Sequence, residues 1–281
     1  MSEAKNIIKG FSEFKSISHI SLKLTRLLSG STCTIKELEE IISFDPTMVM
    51  RLLRIVNSAY YGLANKVESI SDAVIFLGLE TLRNVIVTDT LKNIFVSSES
   101  NLYFSPERLF LHSSVVAICS QMICERIHGK KGDTAFLCGI IHDTGMILEY
   151  QIKEEEFLNV CGIYHEEKQD FQKLEKKLLG TDHAEIGYSL AEEWQLPESV
   201  LDPIKNHHRY SNSVSPESSI GILVLAEYMT SRMSYTEMDD MEIELPPSLM
   251  QHVSDNIHEY KELAQALPEA VILARELYQV D

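Results

Sequence analysis

The sequence predicts an all-α protein, a multi-helix bundle, on three observations. Apolar residues recur at steps of three and four along most of the 281 residues. No stretch gives a convincing β-hairpin signal. Helix start and stop residues flank the periodic runs. Hydrophobic residues make up 44% and charged ones 24%, the balance of an ordinary globular chain with a sizeable core.

The elements follow in order. In "SFDPTMVMRLLRIVNSAYYG", Asp45 is a natural N-cap and Pro46 suits the first helical position. Met48, Val49, Leu52, Leu53 and Val56 then form one stripe, and Gly62 is a stop signal. "SISDAVIFLGLETLRNVIVTDTL" opens with Ser69 and Asp72 at capping-box spacing, and its apolar content predicts a central helix. "SSESNLYFSP" breaks the pattern and marks a boundary. Residues 1–105 are therefore assigned to an N-terminal helical lobe and 106–235 to a helical core. The core is predicted to hold helices near 106–128, 133–150, 154–168, 182–195, 197–209 and 218–234. In the remainder, 236–281, the acidic "SYTEMDDMEIELPPS", with Pro246 and Pro247, is a loop, and about two helices follow.

Composition narrows the function classes. "MSEAKNIIKG" lacks the apolar stretch of a signal peptide, and no run reaches the ~18 apolar residues of a membrane helix, so a cytoplasmic location is expected. Cys33, Cys119, Cys124, Cys138 and Cys161 include no C-x-x-C pair and are odd in number; they read as reduced core residues. A net charge of −17 argues against nucleic acid and acidic membranes as partners, but leaves room for a small phosphorylated ligand at a local cation cluster.

Several polar residues sit on apolar faces. His112 lies in the stripe Leu109, Val116, Cys119 and Ile123. His183 shares a face with Ile186, Leu190 and Trp194. Val200 and Ile204 lead to His207 and His208; Ile220, Leu223 and Val224 lead to Glu227. His142 and Asp143 interrupt the apolar "GIIHDTGMILEY". A lone core histidine is ordinarily satisfied by a backbone carbonyl, and Glu227 alone would suit Arg209 or Lys205 as a partner. Jointly, five helices aiming imidazoles and carboxylates inward leave unpaired groups that a cation resolves. A nitrogen/oxygen set without thiolate favours Fe, Mn or Zn, with Ni or Co also compatible, over Mg or Ca; one or two ions are expected, with Asp143 as the bridge. His19, His128, His165, His252 and His258 fall outside the pattern and read as surface or loop residues.

These residues, in this order, resemble the HD superfamily of metal-dependent phosphohydrolases and, more closely, the HDOD proteins. The resemblance spans roughly residues 15–235 and rests on "DPTMVMRLLRIVNSAYYG", "ISDAVIFLGLETLRNVIV", "LHSSVVA", "FLCGIIHDTGMI", "DHAEIGYSLAEEW" and "IKNHHRY". It implies an HD-domain-like fold with an additional N-terminal helical lobe, in a bacterial signalling or regulatory protein related to the HD-GYP cyclic di-GMP phosphodiesterases. By resemblance, His112 matches the first metal histidine of the HD-GYP pattern and His142 with Asp143 the His-Asp pair. His183 matches the histidine opening a later helix, His207 and His208 the paired histidines, and Glu227 stands where an aspartate is expected. Met146 stands where HD-GYP enzymes carry a lysine, and no Gly-Tyr-Pro follows His208, where the chain reads "RYSNSVSPES". The extra methylene of Glu227 shifts its carboxylate by about 1.5 Å.

Three functions compete. The first is a regulatory module whose core holds a metal, with a signalling protein as partner and a nucleotide or cyclic dinucleotide as ligand. The second is a metal-dependent phosphohydrolase or cyclic-dinucleotide phosphodiesterase, with Asp143 at the reaction centre and Lys205 or Arg209 holding phosphate. The third is a metal-free scaffold with vestigial histidines. Met146 weighs toward the first.

Overall fold

In a computed structural model of the protein, residues 2–14, 34–42, 46–63, 66–95, 99–236, 238 and 243–278 are described. Among them every regular element is a helix, as the apolar periodicity predicts. In the first half these are α1 (Glu3–Phe14), α2 (Ile35–Ile42), α3 (Pro46–Val56) and α4 (Ile70–Phe95). Then come α5 (Pro106–Met122), a π-helical turn π1 (Ile123–Ile127), α6 (Asp133–Ile141), α7 (Thr144–Ile152), α8 (Glu154–Glu167) and α9 (Phe171–Leu178). The chain closes with α10 (His183–Glu193), α11 (Glu198–Asn206), α12 (Ser219–Arg232), α13 (Pro247–Asp255) and α14 (Ile257–Tyr278).

Pro46 opens α3 as its fixed φ suits; the proposed cap Asp45, like His19 and Cys33, lies outside the described residues. Ser69 caps α4: its hydroxyl accepts from the Asp72 N–H at 3.0 Å and donates to the Asp72 carboxylate at 2.7 Å. This helix is longer than predicted and is interrupted at Gly78, whose φ of 84° is left-handed. Its second half is buried almost throughout, and the helix packs on both α3 and α6. Arg51 of α3 pairs with Asp89 at 3.2 Å, while Thr81 and Asn84 hydrogen-bond to the Asp133 carboxylate and carbonyl at 2.7 and 2.8 Å.

Three departures from the sequence reading matter for the site. First, α1 precedes the N-terminal lobe helices yet packs on α7 and α10, with Lys153 paired to Glu3 at 2.5 Å. Second, the helix predicted over 133–150 is two helices, α6 and α7, broken at His142–Asp143. Third, α9 was not predicted at all; Phe171 and Leu174 anchor this short charged helix in the core.

The core runs continuously from α1 to α14. At its centre α5 lies along α6 so closely that a Cβ on Gly139 would stand 2.6 Å from the Ala117 Cα. His112 on α5 and the end of α6 are thereby brought to one place.

Candidate metal centre

Four helix ends and two helix interiors deliver the side chains. His142 is the C-cap of α6 and Asp143 the N-cap of α7, so the helix break turns both inward. His183 is the first residue of α10, whose cap Asp182 accepts from the Glu185 N–H at 2.8 Å. His207 is the C-cap of α11. His112 and Glu227 project from within α5 and α12. Of the seven predicted ligands six are buried and His208 is exposed at the rim; the five histidines gather around Asp143, and Glu227 stands beside His142.

Asp143 is the hub. Its Oδ2 lies 3.0 Å from His142 Nε2 and 3.6 Å from His112 Nε2. Its Oδ1 lies 3.5 Å from both His183 Nε2 and His207 Nε2. Glu227 Oε1 stands 3.3 Å from His142 Nε2, and His208 Nε2 stands 3.0 Å from His183 Nε2. Among the described residues two groups therefore have metal-binding proximity: His112, His142 and Asp143, and Asp143, His183, His207 and His208.

The far nitrogen of each buried imidazole is held by an outer acceptor. His142 Nδ1 donates to the Gly139 carbonyl at 2.8 Å, His207 Nδ1 to that of Ile204 at 2.7 Å, and His112 Nδ1 to that of Tyr235 at 2.6 Å. His183 Nδ1 lies 2.8 Å from both oxygens of Glu175. Each bond fixes the tautomer, leaving a lone pair on Nε2 aimed at Asp143. The Nε2 atoms of His142 and His207 are fully buried and, among the described residues, meet no standard hydrogen-bond partner. Lone pairs facing a carboxylate across 3.0–3.6 Å repel unless a proton or a cation lies between them. The donor set is imidazole nitrogen and carboxylate oxygen, which fits a divalent transition metal ion.

Electrostatics agree with this geometry. Burial opposes charge on Asp143, but the adjoining His142 outweighs it, and the carboxylate is held well below its ordinary range. Burial likewise opposes a proton on His142, and Asp143 overcomes that opposition and lifts it.

Some site residues escaped the sequence reading. Glu175 on α9 and Glu149 on α7 are fully buried, and burial pushes both carboxyls well above the ordinary glutamate range. Glu149 interrupts the apolar run after His142 just as the candidate histidines interrupt theirs, so the same criterion would have found it. Glu175 is masked by its lysine neighbours in "QKLEKKLL".

The two proposed phosphate holders each have a protein partner. Lys205 is exposed, its ammonium 4.5 Å over the Tyr188 ring. Arg209 pairs with Asp182 and, at 3.5 Å, with Glu185, so it clamps α10 to the end of α11. Neither partners Glu227, as the sequence reading had allowed. Met146 is buried in the core at 1% exposure. His165 and His258 are exposed as expected, but His128 and His252 are half-buried and stack on each other at 5.4 Å.

The comparisons with known proteins bear on this site. A curated relative, an uncharacterized protein of Treponema pallidum, is 24% identical over 234 residues, which cover 82% of this chain; the chain spans only 44% of that protein's length. A solved structure from Shewanella amazonensis, provisionally named a phosphohydrolase, is 25% identical with a TM-score of 0.72, covering 96% of this chain and 97% of its own. An HDOD domain protein of unknown function from Geobacter sulfurreducens is 25% identical with a TM-score of 0.64, covering 89% and 91%. The HDOD domain matches residues 15–210, a span that contains every site histidine and Asp143 and stops short of Glu227. With that match over most of its length and helical neighbours of the same kind, the chain belongs to the HDOD domain family.

Proposed function

We propose that this protein is a bacterial cytoplasmic signalling module whose HD-like core binds one or two transition metal ions, Fe, Mn or Zn, at Asp143. One observation carries the reading: both Asp143 oxygens face imidazole Nε2 atoms whose opposite nitrogens are already committed as donors. His112, His142 and Glu227 would hold an ion on one side; His183, His207 and His208 would hold one on the other. Occupancy fixes six chain segments relative to one another, which is how a bound ion or ligand changes the surface offered to a partner protein.

Elemental analysis of protein purified anaerobically without added metal tests this reading, beside His142→Ala and Asp143→Ala. The expected result is at least one Fe, Mn or Zn per wild-type chain and none in the variants. Metal-free wild type that cannot be loaded overturns it.

A second reading, metal-dependent hydrolysis of a nucleotide or cyclic dinucleotide, draws on the name of the Shewanella protein and on the exposed rim at His208. Bound cations of this class polarise phosphoryl oxygens and acidify water. Against it stand the buried Met146 and the engagement of Lys205 and Arg209 elsewhere. Turnover of a phosphoester by metal-loaded protein, lost in His142→Ala, would establish this reading over the first; inertness across a broad panel excludes it.

A further inference from the structure

His183 differs from the other three buried histidines in what holds it. Those three rest Nδ1 on neutral backbone carbonyls. His183 rests on a carboxylate, with both Glu175 oxygens at 2.8 Å. Glu175 is 0% exposed and comes from α9, which also sends Lys176 to the α10 cap Asp182 at 3.1 Å. Among the described residues His183 is the sole basic group in ion-pair range of Glu175.

A second acid stands behind the first. Glu149 on α7 is also 0% exposed and adjoins Glu175 closely enough to share a proton with it. Two acids buried together are costly, and apolar residues of similar volume would serve the fold at least as well. With one proton shared between the two acids, it is Glu175, both oxygens on Nδ1, that supplies negative potential behind one imidazole. A carboxylate on Nδ1–H fixes ring orientation and raises the basicity of Nε2 more than a carbonyl does. The strengthened Nε2 is the one shared between Asp143 Oδ1, at 3.5 Å, and His208 Nε2, at 3.0 Å.

The two sides of Asp143 thus differ in construction. The side with His112 and His142 is entirely buried and includes the Glu227 carboxylate 3.3 Å from His142. The side with His183, His207 and His208 has an exposed member and, among the described residues, no carboxylate besides Asp143 within ligating reach. We infer that Glu175, backed by Glu149, is a positioning residue that strengthens His183 and so sets the metal affinity of this exposed half-site independently of the buried one. The inference rests on the metal-binding reading above and adds to it a graded occupancy: one half-site is tuned from outside its own ligands.

The test is a cobalt(II) titration of the full chain after chelator treatment. It is followed by equilibrium dialysis and by the visible absorption of the bound ion, for wild type, Glu175→Gln and Glu149→Gln. A glutamine at 175 keeps an oxygen for Nδ1–H and removes the charge. Wild type is expected to take two ions. Glu175→Gln is expected to weaken one of them by about 10–100-fold, shift its absorption and leave the other unchanged. Glu149→Gln is expected to weaken the same ion by a smaller factor, and it decides the matter if Glu175→Gln does not fold. Equal weakening of both ions, or of neither, with wild type still binding two, overturns the inference and leaves the metal reading standing. Wild type that binds no cobalt overturns both.

Discussion

A Cβ placed on Gly145 would stand 2.0 Å from the carbonyl oxygen of His183. The first turn of α7 therefore touches backbone at the start of α10, and this contact sets the spacing between Asp143 and His183. Gly145→Ala must push the two helices apart, because no flexible side chain can yield. Destabilisation of at least ~1–3 kcal/mol is expected, the range for an unaccommodated methyl in a packed core, with loss of metal binding. Gly162→Ala is the control, since its Cβ meets only Tyr103 ring atoms at 3.9 Å, an ordinary contact. Thermal melts of both variants check this; equal melting temperatures would refute the tight contact.

Metal removal should loosen the molecule globally. The candidate ligands come from six helices or their caps, so an ion held there binds the folded state only. Free metal at 100 times its dissociation constant adds about 2.7 kcal/mol. Calorimetry of wild type with and without chelator should show that loss, and Asp143→Ala should melt identically in both conditions. A wild-type melting temperature indifferent to chelator contradicts the prediction.

The stacked pair His128–His252 gives the carboxy-terminal helices a pH dependence. Burial lowers both imidazoles below their ordinary value, His252 lowers His128 further, and Lys130 opposes its proton too. Glu217 and, for His252, Asp255 work the other way without prevailing. The unfolded chain therefore binds protons first. The stability contributed by this pair is fully present above about pH 6.5 and is lost as pH falls below it. Hydrogen-exchange protection over residues 247–278, after division by the intrinsic rate at each pH, should fall between pH 7.5 and 5.5, and His252→Gln should flatten the response.

Thiol chemistry reports on the core directly. Burial raises Cys119, Cys138 and Cys161, Cys138 up to about 12, so their reactive thiolates are scarce at neutral pH. Brief alkylation of native protein followed by peptide mapping should leave these three unmodified, and denaturant should expose all of them. Rapid native labelling of Cys138 would mean that α6 opens far more readily than its packing implies.

Much of the centre was legible because a histidine on an apolar stripe is conspicuous, as with His112 and His183. The hub could be named for the same reason, since Asp143 interrupts a long apolar run. What escaped were features masked locally or set by distant contacts. The break in 133–150 has only a short local signal, the N-cap type Asp143 ahead of Gly145, which the largely apolar runs on both sides mask. The docking of α1 on α7 and α10 is a long-range choice among several apolar faces. The role of Glu175 depends on a neighbour eight residues away across a turn, which periodicity within one helix does not reveal.

Four helix termini meet at the hub, and their polarity has a consequence. The chain enters from α6 and α11 by their carboxyl ends, at His142 and His207, and leaves by the amino ends of α7 and α10, at Asp143 and His183. Two negative and two positive dipole ends cancel to first order. The backbone thus contributes little net field, and the formal charge around the ion sites belongs to Asp143, Glu227 and, behind His183, Glu175. One divalent ion would leave that charge slightly negative; a second would turn the cavity positive and make it attract anions. A protein with a net charge of −17 would then carry one small cationic spot whose sign depends on how many ions it holds.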